Sequence, residues 1–181
     1  MSHLTRYFFA VFPDAVERET ALGRANELQY RLKLDGNRVL KNRLNITVQF
    51  IGTFDGARED VERRALEVGA TMTGLGGPIT MDWAMRFDGD YGKNSDYRAA
   101  MFYPAAVPQA WREASERIRD AFNWLPALPD LPPHVTFIYT DDSQLDSPAS
   151  IAPMAWCARE LCLVRSVQGS NHYEILCRWA L

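Results

Sequence analysis

Two stretches of this chain repeat one pattern, and any fold must accommodate both. The first is Leu44-Asn45-Ile46-Thr47-Val48-Gln49-Phe50-Ile51-Gly52, and the second is Pro132-Pro133-His134-Val135-Thr136-Phe137-Ile138-Tyr139. Val, Ile, Phe, Tyr and Thr favour the pleated conformation, so each stretch reads as a strand. Pro132 and Pro133 fix an extended approach to the second. Alternation puts His134 and Thr136 on one face and Val135 and Phe137 on the other. Asn45 and Thr47 separate from Ile46 and Val48 in the same way. The second copy begins 89 residues after the first, about half of the 181-residue chain. Two related halves follow, each presenting one strand with a polar-x-Thr face over an apolar layer. Strict alternation predicts that Tyr139, five residues after His134, points away from that face.

The segments around these strands fill in an α+β architecture. Arg6 to Phe12 is nearly all apolar, as suits a central strand. Asp14 followed by Glu17 is a capping box that starts a helix, with Leu22, Ala25, Leu28 and Leu32 as its stripe and Asp35-Gly36-Asn37 as its end. Arg38, Lys41 and Arg43 fall in a loop that reads as solvated, with guidance of a phosphate toward the motif strands as the alternative. A second helix is predicted over 57–70 and a third from Pro108, with Trp111, Ala114, Ile118 and Ala121 facing inward. Thr73 to Pro78 is glycine-rich, but a strand-like run (79–87) follows it, so it reads as a linker and not a phosphate loop. A polar loop (88–96) joins that run to a strand at 97–103. A proline-rich loop, 123–133, carries Trp124, which can stack a base. Residues 141–148 form an acidic, mobile-looking loop. Two last strands, 155–164 and 172–179, are joined by a turn at Gln168 to Asn171. Short hairpins among alternating strands and helices favour antiparallel sheets over a doubly wound one.

Composition removes some classes of function. A net charge of −3 argues against coating long polyanions, though a short nucleotide in a local basic cleft is compatible with it. Cys157, Cys162 and Cys177 are odd in number and form no C-x-x-C pair, as small buried hydrophobes in a reducing compartment would. Tyr7 to Phe12 is too short for a secretory leader and no run reaches membrane-spanning length. A cytoplasmic, monomeric protein with no membrane partner is expected.

The paired strands carry a family resemblance. The chain resembles the two-histidine phosphoesterases, within them the bacterial 2'-5' RNA ligases (RNA 2',3'-cyclic phosphodiesterases), whose hallmark is a pair of His-x-Thr-x motifs. Arg6 to Val11, Leu44 to Gly52, and the close Leu163 to Ser166 with Tyr173 to Leu181 resemble that family in the same order. The sequence departs from the pattern at Asn45, where the family has histidine, and at Tyr139, where some relatives carry arginine.

The resemblance implies one 1–181 unit: two antiparallel-sheet lobes related by a pseudo-twofold axis, with a cleft floored by the motif strands. It also implies a metal-independent, cofactor-free phosphodiesterase acting on a 2',3'-cyclic phosphate at an RNA end or on a small nucleotide. Such chemistry needs one group to deprotonate water and another to protonate the leaving ribose oxygen. Histidines titrate near neutrality and suit both tasks. His134, Thr136 and Thr47 match the catalytic positions. Asn45, Arg165 and Ser166 fall where ligand contacts are expected. Because a carboxamide does not titrate, Asn45 leaves either a weakened enzyme or a nucleotide-binding module without turnover. His172, His3 and Tyr139 are the side chains left for the missing histidine's role, although the plainer readings are surface positions for the two histidines and a core or rim aromatic for Tyr139.

Overall fold

In the computed structural model, residues 3–87, 97–126 and 131–181 are described, and nine strands and three α-helices account for most of them. The strands are β1 (Leu4–Val11), β2 (Asn37–Arg38), β3 (Ile46–Asp55), β4 (Gly77–Arg86), β5 (Arg98–Tyr103), β6 (Val135–Thr140), β7 (Ala149–Ala158), β8 (Glu160–Val167) and β9 (Glu174–Ala180). The helices are α1 (Ala15–Leu32), α2 (Glu59–Gly69) and α3 (Gln109–Ala121). Two antiparallel sheets result, one in the order β3-β1-β8-β9 and the other β2-β6-β5-β4-β7. The α+β, two-sheet architecture expected from the sequence is the one found. The 88–96 loop lies outside the described residues, although β4 and β5 on either side of it pair antiparallel.

The helices are exchanged between the sheets. The capping box at Asp14 and Glu17 starts α1 as expected, and Lys33, in the left-handed region at φ 53, ends it before Asp35. Yet α1, which follows β1 in the chain, lies against β6 and β7 of the other sheet. Conversely α3, which follows β5, lies against β3 and α2. Trp111, Ala114 and Ile118 are its buried face, and Ser115 among them donates to Gln49 of β3 at 2.5 Å. One continuous apolar core joins the two sheets through these crossings.

Two expectations are corrected. The run predicted as a single strand over 155–164 is two strands in different sheets, β7 and β8, with Arg159 at the crossover. No glycine or proline marks the break. It is held from outside, by Arg159 donating to Asp14 at 2.8 Å and to Glu17 at 2.9 Å, and by the Cys157 N–H donating to Glu17 at 2.7 Å. The acidic 141–148 segment is anchored, not mobile-looking. Its Leu145 is fully buried, and Arg86 grips both the Asp146 carboxylate and the Asp141 carbonyl, at 2.7 and 2.8 Å.

The short strand β2 closes the edge of β6 next to Tyr139, and Gly36 permits it. At φ 151 Gly36 lies so close that a Cβ would stand 2.2 Å from the Tyr139 carbonyl oxygen. Gly36→Ala should therefore push β2 off β6, at a cost of about 1–3 kcal/mol from strain and overpacking. A urea unfolding midpoint equal to wild type would contradict this.

Candidate functional site

The two motif strands meet edge to edge. The Thr47 N–H donates to the His134 carbonyl at 3.0 Å, and the two residues form an antiparallel bridge. Residues directly opposite in such a pair present their side chains on one face. Asn45 lies on the same side as Thr47, whose hydroxyl donates to its side-chain oxygen, and Thr136 lies two residues beyond His134 on the same strand. Ile46, Val48, Val135 and Phe137 are buried. Residues 47–50, Leu131 and His134 line a small crevice beside the bridge.

Each motif strand is bulged at the same place. In β3 the register with β1 runs Phe9↔Gln49 and then Ala10↔Thr47, which leaves Val48 as the extra residue. In β6 the register with β5 runs Ala100↔Ile138 and then Met101↔Thr136, which leaves Phe137 extra. Both extra residues are the fourth position of the polar-x-Thr-x motif. Val48 and Phe137 are each core residues, and Phe137 is stacked on Phe102 with ring centroids 4.2 Å apart. A bulge resets alternation. Phe50 and Tyr139 consequently return to the faces of Thr47 and Thr136, and Phe137 and Ile138 both point into the core. Strict alternation fails for Tyr139: the phenol stands on the motif face, with its partly exposed ring near Tyr173, Arg6 and Arg43.

Local bonds set the state of each group. His134 is buried, and its Nδ1 lies 2.9 Å from the Pro132 carbonyl. A carbonyl only accepts, so Nδ1 carries the proton and Nε2 keeps its lone pair. Burial pushes the imidazole below its ordinary pKa, with the Pro132 carbonyl pulling part of the way back. Asn45 is buried as well. Its amide donates to the Arg43 carbonyl at 2.9 Å and accepts from the Thr47 hydroxyl at 3.3 Å, so it fastens the loop before β3 to the motif threonine. Partial burial and Tyr173 raise the Tyr139 phenol, against the pull of Arg6 and Arg43.

The neighbouring arginines are distributed differently from expectation. Arg165 pairs in register with Tyr7, and so lies on the helix-covered face of its sheet, opposite to Thr47. Its guanidinium is held there by Glu174 at 2.7 and 2.9 Å and by Glu62 at 2.8 Å. Ser166, one residue on, is on the motif side and accepts a long contact from Arg43 at 3.5 Å. Arg43, expected in a solvated loop, is half-buried with its guanidinium 4.5 Å over the Tyr173 ring and its Nε without a partner among the described residues. Tyr173, far away in the sequence, brings it in. Arg38 and Lys41 are tied to α1, through Gln29 and Asn26 and through Glu19 respectively. His172 sits in the β8–β9 turn next to Ser170, 3.3 Å from ring to hydroxyl, and faces a separate cavity. Trp124 is exposed beside Phe122, not at the seam. Among the described residues no three His, Cys, Asp or Glu side chains form a metal-binding group, and no helix is long and apolar enough to cross a membrane.

Buried His134 makes acid stability measurable. The folded chain prefers the neutral ring, and in the unfolded chain histidine titrates near its ordinary 6.5. As pH falls below that value the unfolded state takes up a proton that the folded state refuses, so stability declines down to the lowered folded pKa. Urea midpoints at pH 7.5 and 5.5 should differ more in wild type than in His134→Asn. Equal differences would mean that the ring titrates freely.

Comparisons with solved structures agree with this architecture over nearly the whole chain. E. coli LigT in its apo form is 23% identical, with 99% of each chain covered and a TM-score of 0.71. E. coli LigT complexed with 3'-AMP is 21% identical, again over 99% of each chain, with a TM-score of 0.68. TT0787 of Thermus thermophilus is 19% identical over 97% of each, with a TM-score of 0.69, and a crystal structure described as a phosphoesterase is 20% identical over 98% of each, with a TM-score of 0.69. No protein-family model and no curated protein sequence matches. The chain has the bilobal fold of LigT.

Proposed function

We propose that this protein is a metal-independent phosphodiesterase that opens a 2',3'-cyclic phosphate on an RNA end or a small nucleotide. The observation that carries the reading is the bridge between the two motif strands, which sets the buried imidazole of His134 opposite Thr47 at one seam. The fold shared with LigT, of which one form is complexed with 3'-AMP, supports it.

In this scheme the Nε2 lone pair of His134 takes a proton from water. The water oxygen attacks phosphorus, the bond to one ribose oxygen breaks, and that oxygen takes a proton from an acid. The Nδ1 bond to the Pro132 carbonyl and the lowered pKa both suit His134 to the base role at neutral pH. Thr47 and Thr136 donate hydrogen bonds to the phosphate oxygens, and the Arg43 guanidinium supplies positive charge beside them. Asn45 cannot donate a proton in the manner of an acid and acts instead as the residue that positions Thr47. The acid is Tyr139, which the bulge turns onto the motif face and whose raised pKa keeps it protonated. A second reading, a nucleotide-binding module without turnover, is favoured by the engagement of the Asn45 amide with Arg43 and Thr47.

Assays with 2',3'-cyclic nucleotides test the enzyme reading. The rate should rise with pH through one pKa below the usual histidine value, then stay flat until the phenol ionises above its ordinary 10. His134→Ala should abolish activity and Tyr139→Phe should cost on the order of 10²-fold. Asn45→His should raise turnover by a similar factor with little change in KM. An unaltered rate in Tyr139→Phe removes the tyrosine from the scheme. No turnover by wild type or Asn45→His would leave the binding module as the better reading.

A further inference from the structure

A cavity of about 610 Å³ opens on the same face of the four-stranded sheet that carries Thr47. The register makes the connection. Thr47 pairs with Ala10, Ala10 with Cys162, and Cys162 with Arg178, so these residues form one row across β3, β1, β8 and β9. Cys162 and Arg178 line the cavity, and so do Phe12, Arg18, His172 and Tyr173. The Tyr173 ring lies edge-on to Phe8 and Phe12, at centroid distances of 5.3 and 6.4 Å, with Arg43 over its face. It forms the wall shared by the motif seam and the cavity.

The charges in the cavity are unequally committed. Arg159 is taken by Asp14 and Glu17, and Arg178 pairs with Glu160 at 3.0 Å while half exposed. Arg18 has no carboxylate among the described residues: its Nη2 donates to the Pro13 carbonyl at 3.3 Å, and its Nε is buried with no partner. The Arg178 guanidinium reaches back over Cys162, with Nη1 3.7 Å from Sγ. Its charge therefore sits two strand spacings from Thr47, on the order of 10 Å. That span exceeds a lone phosphate and fits successive phosphates of one nucleotide strand. The volume and the aromatic walls suit a nucleoside.

We propose that this cavity is a second anion subsite, taking the phosphate and nucleoside next to the one held at the motif strands. Arg18 and Arg178 bind that second phosphate, and Tyr173 separates the two nucleotides. A strand of two or more nucleotides is thereby held more tightly than a mononucleotide, through Arg18 and Arg178. This rests on the reading that the motif face holds a phosphate, but not on turnover.

Calorimetry on the full chain tests it with two probes, adenosine 3'-phosphate and a diadenosine dinucleotide carrying a 3'-terminal phosphate. The dinucleotide should bind wild type about tenfold or more tightly, as expected for an added charge-assisted contact. Arg18→Gln and Arg178→Gln should each erase most of that advantage and leave mononucleotide affinity unchanged. Arg178 is half exposed, so its variant keeps the test open if Arg18→Gln unfolds. Equal affinities in wild type, an advantage that survives both substitutions, or no binding of either probe would each overturn the subsite. If no cyclic phosphate is hydrolysed but an arginine-dependent dinucleotide preference remains, the subsite stands and only the catalytic reading falls.

Discussion

Among the described residues one backbone hydrogen bond joins the two sheets where the motif strands meet, the Thr47 N–H to the His134 carbonyl at 3.0 Å. The placement of the motif side chains is referenced to it. The bridge fixes which residue of one strand faces which residue of the other, and a slip of one position would turn each motif side chain from the seam into the core. The bridge is short because the strands diverge on either side of it, into separate sheets with separate helices. The apolar residues behind it supply the rigidity, and the bulges supply the aim.

The bulges decide which residue follows each threonine on the motif face. Strict alternation would place Ile138 after Thr136 and Gln49 after Thr47. An extra residue directly after each threonine shifts the parity and puts Tyr139 there on one side and Phe50 on the other. The two motif strands differ at that position, a phenol in one and a phenyl in the other, and also at the first position, imidazole in one and carboxamide in the other. His134 holds its proton on Nδ1 through a local carbonyl, while Asn45 spends its amide on Arg43 and Thr47.

Much of this is legible in the sequence where the signal is local. The capping box at Asp14 and Glu17, the strand character of both motif stretches and the turn before β9 all follow from neighbouring residues. What escapes depends on partners distant in the chain. The bulges arise from register with β1 and β5, so strict alternation puts Tyr139 on the wrong face. Arg43 reads as a loop cation until Tyr173 is placed beneath it. Arg165 and Ser166 look equivalent in sequence, yet only pairing with β1 decides that Ser166 faces the seam and Arg165 the helices. The break at Arg159 has no glycine or proline to announce it, because its cause is the pair of acids at the start of α1.

The strand order β3-β1-β8-β9 also bears on how such a chain folds. During synthesis β1 emerges first, but one of its two neighbours, β8, is made almost last. Until then the strand that carries Phe8 and Ala10 has an unsatisfied edge, and its apolar residues must wait for Cys162 and Val164. Pairings so remote in sequence are slow to form, because the loop must close before any contact rewards it. The sheet bearing Thr47 therefore completes after the sheet bearing His134 has its strands in hand, and the seam between the motif strands is among the last parts of the molecule to exist.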